Sequence, residues 1–524
     1  MSPAAPVGPS STTLRSGHLP GLRRRLLSPL GLLTAGVLLT VGSPLIFVVV
    51  QATRAGWAPA RALLHRPIAA TLLWHTLTLT AAVTTTTAVI GFGAAYLVER
   101  TDLPLRRMLS VVLVMPLAVP EFVQGFSWVS LTSSVRGYWG AVLVMTCALY
   151  PLVYLPVAAS LRRSDAGVEE VARSLGKGRW VTLVKVTLPL TRPALGGGAL
   201  LVCLYLLGEY GAFAALQFQT FATAIFTEYK VAYNTASASV LTLLLCLIAL
   251  LVVIGEMRVS GRRPTGRAAA AGRRPSRVPL GAARFPALAA LFALIVLALG
   301  VPIGALVYWW ARGTSSTLPA ASIMTDVWAT LGYAFAAAII ATIGAVPVAL
   351  YSWRRRTRWA ATVERGAYLT RALPGIAVGL SIVYITIHYA RPFYQTSWML
   401  VAGYVVLFFP LALTGVRAAL ASVPSGVEEV ARSLGVRPAL VLLRVTLPLI
   451  APGMGVAAAM VMLAASTELT ATLLLRPIGT NTLATQFWTF TTGLAYGEAA
   501  PYAALMIAIS AIPVLVLARR GAVR

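Results

Sequence analysis

The sequence predicts an all-α polytopic membrane protein of twelve transmembrane helices, arranged as two pseudo-symmetric six-helix halves. Three observations carry that prediction. Hydrophobic residues make up 58% of the 524 positions and charged residues 11%, with a mean hydropathy of +0.81. Apolar stretches recur along the chain at lengths that suit a bilayer. A ten-residue string occurs twice, 259 positions apart. A soluble chain of this length needs far more polar surface than such a composition supplies.

A helix crossing roughly 30 Å of hydrocarbon needs about 20 apolar residues. Such segments fall at 30–52, 70–97, 108–131, 138–160, 191–213 and 236–256, then at 286–310, 327–352, 367–388, 397–418, 450–474 and 498–518. The first follows Arg15, Arg23, Arg24 and Arg25, as an export signal would. It is long enough to span, however, and no small-x-small cleavage site closes it, so it reads as a retained first span. Pro116, Pro120 and Pro374 are expected to kink the third and ninth spans. The domain plan is a basic tail at 1–29, a first half at 30–257, a linker at 258–284, a second half at 285–520 and a short tail at 521–524.

The net charge of +28 does not imply a nucleic-acid partner, because the bases lie in short segments between apolar runs. With the N-terminus inside, only Arg54, Arg61, Arg66, Arg136, Lys230, Arg312, Arg391 and Arg476 of the 43 bases fall outside. That asymmetry places both termini in the cytoplasm of a cell-membrane protein. The linker, with its arginines, Gly, Pro and an alanine run, reads as a flexible cytoplasmic connector. Cys147, Cys203 and Cys246 sit inside apolar runs without metal-ligand spacing and read as packing residues.

The repeat is the strongest signal. GVEEVARSLG occupies 167–176 and again 426–435, and the register holds through VTLPL at 186–190 and 445–449, and at Glu209 and Glu468. Pro116 and Pro374 nearly keep it, 258 apart, and TFAT at 220–223 resembles TLAT at 482–485. Both copies have the same topology, so the duplication is parallel, with a pseudo-two-fold axis along the membrane normal.

Each copy lies in a long loop, 161–190 or 419–449, between the fourth and fifth spans of its half. Val168, Val171, Ala172 and Leu175 share one face of a short helix, as do Val427, Val430, Ala431 and Leu434. Glu169, Glu170, Glu428 and Glu429 stand in the first turn, where the helix dipole favours acids. Ser425 and Glu428 form a capping-box pattern, and in the first copy Asp165 is the available cap. Gly176 and Gly435 suit a left-handed C-terminal cap. An apolar face on a projecting helix must be covered, by its own bundle, by lipid or by a partner. Equal constraint on two copies points to two identical partner surfaces.

These segments resemble the "EAA" loop of ABC importer permeases, written E-A-A-x(3)-G-x(9)-I-x-L-P. Glu170-Val171-Ala172 and Glu429-Val430-Ala431 match with valine for the first alanine, Gly176 and Gly435 match the glycine, and Leu188-Pro189 and Leu447-Pro448 match the end. Val186 and Val445 replace the isoleucine. The resemblance implies a type I importer fold and covers both halves. It implies that Glu169, Glu170, Ala172, Gly176, Glu428, Glu429, Ala431 and Gly435 couple the chain to an ATPase. No Walker A pattern occurs, since Leu175-Gly-Lys-Gly178 lacks both its spacing and its Ser/Thr. The implied partners are therefore two copies of a separate ATPase subunit, which use ATP and Mg, and an extracytoplasmic solute-binding protein. One fused chain would serve each transporter, binding no cofactor of its own.

Among such permeases the fused chain resembles those for ferric iron, and less closely those for thiamine. TELTATLLLRPIGTNTLAT at 467–485 is similar to the "E-L-P-A-T-L-L-L-R-P" stretch of ferric permeases, with Thr470 in place of the proline. Three intramembrane acids, Glu121, Glu209 beside Tyr210, and Glu468, are candidates for a substrate path or gate. The same acids would equally serve as caps at helix ends. His75 and His388 read as packing or interfacial residues; no catalytic cluster and no closed metal site is expected. Thiamine, polyamine and oxyanion import stay open as alternatives. A proton-coupled secondary transporter is the distant one; RTDLPLRR at 100–107 suits it, but it leaves the duplicated loop unexplained.

Overall fold

The computed structural model describes residues 29–55, 61, 66–163, 166–259, 277–312, 320–354, 366–367, 370, 373–424 and 426–523. The basic tail up to 28, the body of the linker (260–276), Asp165, Ser425 and residue 524 lie outside them, and so do the expectations placed there.

The first half runs α1 (Pro29–Ala55), α2 (Pro67–Arg100), α3 (Arg106–Val112), α4 (Glu121–Leu131), α5 (Tyr138–Arg163), α6 (Ala166–Ser174), α7 (Leu188–Gly208), α8 (Gly211–Ala215), α9 (Phe221–Lys230) and α10 (Thr235–Val259). The second runs α11 (Gly281–Arg312), then α12 (Ala320–Arg354), α13 (Gly375–Tyr389), α14 (Ser397–Ala421), α15 (Val427–Ser433), α16 (Leu447–Ser466), α17 (Thr470–Leu475), α18 (Leu483–Thr492) and α19 (Tyr496–Val523). No strand occurs among the described residues; a single isolated bridge joins Thr101 and Val278.

Among the described residues ten helices are long and apolar enough to cross a membrane, and they coincide with ten of the twelve predicted segments. The other two differ. The third is broken, with 89° between its two pieces, Arg106–Ala118 and Glu121–Leu131. The ninth, α13, is a helix of 15 residues. The prolines do more than kink. Pro120 caps α4 and Pro374 caps α13, each at a helix start where its missing N–H costs no hydrogen bond. The structural mate of Pro374 is therefore Pro120, 254 positions earlier, and not Pro116. The repeat changes offset between the third span and the loop because the connections between spans differ in length.

The fifth and eleventh spans also end earlier than their hydropathy suggests, at Gly208 and Ser466. At their other ends, Pro189 and Pro448 follow five-residue π turns, Leu183–Thr187 and Leu442–Thr446. A proline removes a ladder bond and crowds the preceding turn, and a wider turn relieves both.

The first helix of each half packs on the other half. Val41 of α1 joins a core with Ala338, Ala341 and Phe409, and Pro44 O accepts a hydrogen bond from Ser381 Oγ at 3.3 Å. Reciprocally, Leu306 of α11 packs with Phe122 and Phe126 of α4, and Ala298 O accepts from the buried Gln124 Nε2 at 2.9 Å. Within the first half, glycine brings α2 and α7 close to α5. A Cβ on Gly91 would meet Val153 Cβ at 2.8 Å, and one on Gly198 would meet Val153 Cα at 2.8 Å. Small residues at such crossings are how apolar helices gain packing in lipid.

Candidate docking helices and central carboxylates

The repeated string forms a short helix in each half, α6 and α15, closed by Gly176 at φ +75° and Gly435 at φ +81° as expected of left-handed caps. The predicted apolar stripe is bare. Val171 keeps 58% of its surface exposed and Leu175 72%, with Val430 at 61% and Leu434 at 78%. Ala172 and Ala431 are half-buried, whereas Glu170 and Glu429 are exposed.

The preceding glutamates point the other way. Glu169 is buried, 3.1 Å from Arg100 Nη2, and accepts from Thr187 Oγ1 at 3.0 Å. Glu428 is buried in the same manner. It accepts from Arg354 at 2.7 Å, from Thr446 Oγ1 at 2.6 Å and from Arg432 at 3.0 Å. The Glu428 carboxyl is thus committed to these donors, while its expected capping partner Ser425 is outside the described residues. Burial pushes the Glu428 carboxyl up, but the hydrogen bonds from Arg354, Thr446 and Arg432 outweigh it, and the group lies below its usual 4.5. Arg100 and Arg354 end α2 and α12, so α6 and α15 are each fastened both to a second span and to the π turn of a fifth.

The three intramembrane acids lie where the chain breaks, within electrostatic reach of one another. Glu209 follows the end of α7, and its Oε1 accepts the Ala212 N–H at 2.7 Å; Glu468 repeats this with Ala471 at 2.7 Å. The capping role is therefore present in both. Both also face the breaks of the third and ninth spans. A Cβ on Gly211 would sit 2.7 Å from Phe122 Cβ and 2.8 Å from Leu469 Cδ2, and one on Gly375 would sit 3.2 Å from Glu468 Oε1. Glu121, Glu209 and Glu468 share one electrostatic neighbourhood with the Tyr205 hydroxyl. Tyr205 keeps 46% of its surface accessible. The arrangement is asymmetric, since Gly375 occupies the place where the first half has Glu121. Tyr210 stacks on Phe226 at 4.1 Å and lies 5.6 Å from Trp488.

Among the described residues no group of three His, Cys, Asp or Glu is arranged to hold a metal ion. His75 packs against Phe218 and His388 against Tyr384. The three cysteines are free thiols, two of them buried. Sequence reasoning missed Arg100, Arg354, Thr187, Thr446, Tyr205 and Gly375. The threonines lay inside the repeated VTLPL string, and that repetition was the available signal.

Duplicated helical halves, a pair of identical short helices with bare apolar stripes, and acids at the breaks between spans are the features of a permease. The chain belongs to the family of binding-protein-dependent transport system inner membrane components, which matches residues 87–259 and 345–520. It is 36% identical over 480 residues to the Fe(3+)-transport system permease protein FbpB 2 of Haemophilus influenzae, covering 90% of this chain and 94% of the relative. The molybdenum transport system permease protein ModB of Escherichia coli is 28% identical over 33% of this chain and 86% of its own length. The sulfate transport system permease protein CysW of Escherichia coli is 27% identical over 43% of this chain and 83% of its own length. The chain is thus a transport subunit of the membrane, multi-pass and all-α, of the kind that works with an ATPase and a binding protein.

Proposed function

We propose that this chain forms the membrane path of an ATP-driven importer of ferric iron, powered by two copies of one ATPase subunit. The observation that supports it most is the pair of identical docking helices, each with a bare apolar stripe and a buried carboxylate fastening. Leu175 and Leu434 are more than two-thirds exposed and form a bare stripe with Val171 and Val430 on helices outside the spans, the kind of contiguous apolar patch that marks an interaction site. Glu170, Ala172, Gly176, Glu429, Ala431 and Gly435 would meet the ATPase, with Glu169 and Glu428 setting their position. The chain binds no cofactor itself; ATP and Mg belong to the partner. Both termini lie in the cytoplasm, and the binding protein docks on the opposite face.

Ferric iron is favoured because the iron relative aligns along nearly the whole fused chain, whereas the oxyanion relatives cover less than half of it. A hard trivalent cation is also compatible with a path bordered by Glu121, Glu209, Glu468 and Tyr205, since it prefers carboxylate and phenolate oxygen. Cargo would pass rather than rest, with Glu209 and Glu468 already partly committed as caps. The test is uptake of radiolabelled ferric ion by proteoliposomes holding the chain, its ATPase and its binding protein. ATP-dependent accumulation that unlabelled molybdate, sulfate, thiamine and polyamines do not compete away is expected. Uptake of any of those in place of iron would reassign the substrate, and uptake without the ATPase would end the reading.

A further inference from the structure

We infer that Glu169 and Glu428 are transmission joints, positioning residues that carry displacement of the docking helices into the second and fifth spans of each half. The inference rests on the docking role proposed above and deepens it.

A docking helix on a slack loop would absorb a partner's movement. Here each helix is fastened at one buried carboxylate to two separate elements. Glu169 takes Arg100, the last residue of α2, and Thr187, in the π turn that leads into α7. Glu428 takes Arg354 of α12 and Thr446 in the π turn before α16. The side chains of Arg100 and Glu169 are 2% and 4% exposed, so water does not screen the pair. α7 is a continuous helix of 21 residues whose far end leads directly to Glu209. A tug at Thr187 is therefore delivered to the central break.

The two joints are not equal. The first is held from a further side, because the chain leaving the linker pairs with the end of α2. Val278 N–H donates to Arg100 O at 2.9 Å, Asp102 N–H to Val278 O at 3.3 Å, and Leu280 N–H to Asp102 Oδ1 at 2.9 Å. The residue whose side chain grips Glu169 is thus stapled by its backbone to the end of the linker, just ahead of α11. In the second joint Arg354 is 28% exposed and Glu428 7%. The first joint is the drier.

The test uses the full chain in complex with its ATPase, with spin labels at Val231 and Leu494. Both are exposed and lie beyond the central break at the end remote from the docking helices. Trapping the ATPase with ADP and vanadate should shift the distance between the labels. Glu169→Gln should lower the equilibrium constant for the shifted state about tenfold, and Glu428→Gln by less, while nucleotide is still trapped. Arg100→Gln combined with Glu169→Gln should be no worse than the more severe single change, because the two act as one unit. Thr187→Val and Thr446→Val, which keep the charges, give a milder loss of the same kind if the glutamine variants do not assemble. No shift in the parent complex, a full shift in Glu169→Gln, or multiplicative effects in the double variant would each overturn the proposal. Leu175→Asp with Leu434→Asp separates the two readings. If that variant still holds its ATPase, the docking role is at fault and not the joint.

Discussion

A carboxylate buried beside an arginine is stable only while both are charged and fully hydrogen-bonded, since removing one partner strands the other. Glu428 illustrates the pH consequence. Its folded value lies below the ordinary 4.5, so its contribution is present above that pH and is lost as pH falls through the depressed value. An environment-sensitive fluorophore at Leu434 should report an unchanged setting of α15 down to about that pH and release below it. Glycine provides the second test at this scale. A methyl at Gly198 would press on Val153 Cα at 2.8 Å and Leu152 O at 2.9 Å, whereas one at Gly197 meets nothing within 4 Å. Gly198→Ala should destabilise the purified protein by about 1–3 kcal/mol, and Gly197→Ala should not, as read by thermal unfolding in detergent.

Among the elements, α9 and α18 lie where the sequence offered only a faint echo, TFAT against TLAT. Each begins with a reciprocal threonine cap, Thr220 with Thr223 and Thr482 with Thr485. Each is also anchored to the second span of its own half. Phe221 N–H donates to Thr76 Oγ1 at 3.2 Å, and Leu483 N–H to Thr330 Oγ1 at 2.8 Å. Thr482→Ala should loosen α18 by about 1 kcal/mol and raise amide exchange in its first turn, with little change elsewhere. The long spans were legible because twenty apolar residues in lipid have little choice but a helix. The breaks were not. A run such as 108–131 is apolar on both sides of Pro120, and hydropathy averages over the corner that the proline makes. The three acids were legible as unusual, but their meeting depended on which breaks face each other. The stripe of each docking helix was readable from spacing, whereas the inward turn of Glu169 and Glu428 depended on arginines far away in sequence.

At the scale of the molecule, the halves are joined more by exchange than by the linker. α1 sits among α12, α13 and α14 of the second half, and α11 sits against α4 of the first. Halves expressed as separate chains, divided within residues 260–276, should therefore co-purify without covalent connection. Recovery of each half alone would show that the exchanged helices do not hold the pair. The duplication is also imperfect where it matters, since Glu121 has no carboxylate mate at Gly375. A cation at the centre would meet an uneven set of neighbours, so the two halves cannot be interchangeable in handling it.

The exchanged first helix also sets a timetable for synthesis. The surface that α1 buries, around Ala338, Ala341 and Phe409, is made some three hundred residues after α1 itself. Until it arrives, α1 has α10 of its own half to pack on, and its other flank stays in lipid. A ribosome that stalls in the linker would leave a half that has inserted but cannot close. The first helix is therefore fully seated only after the chain has been made through α14.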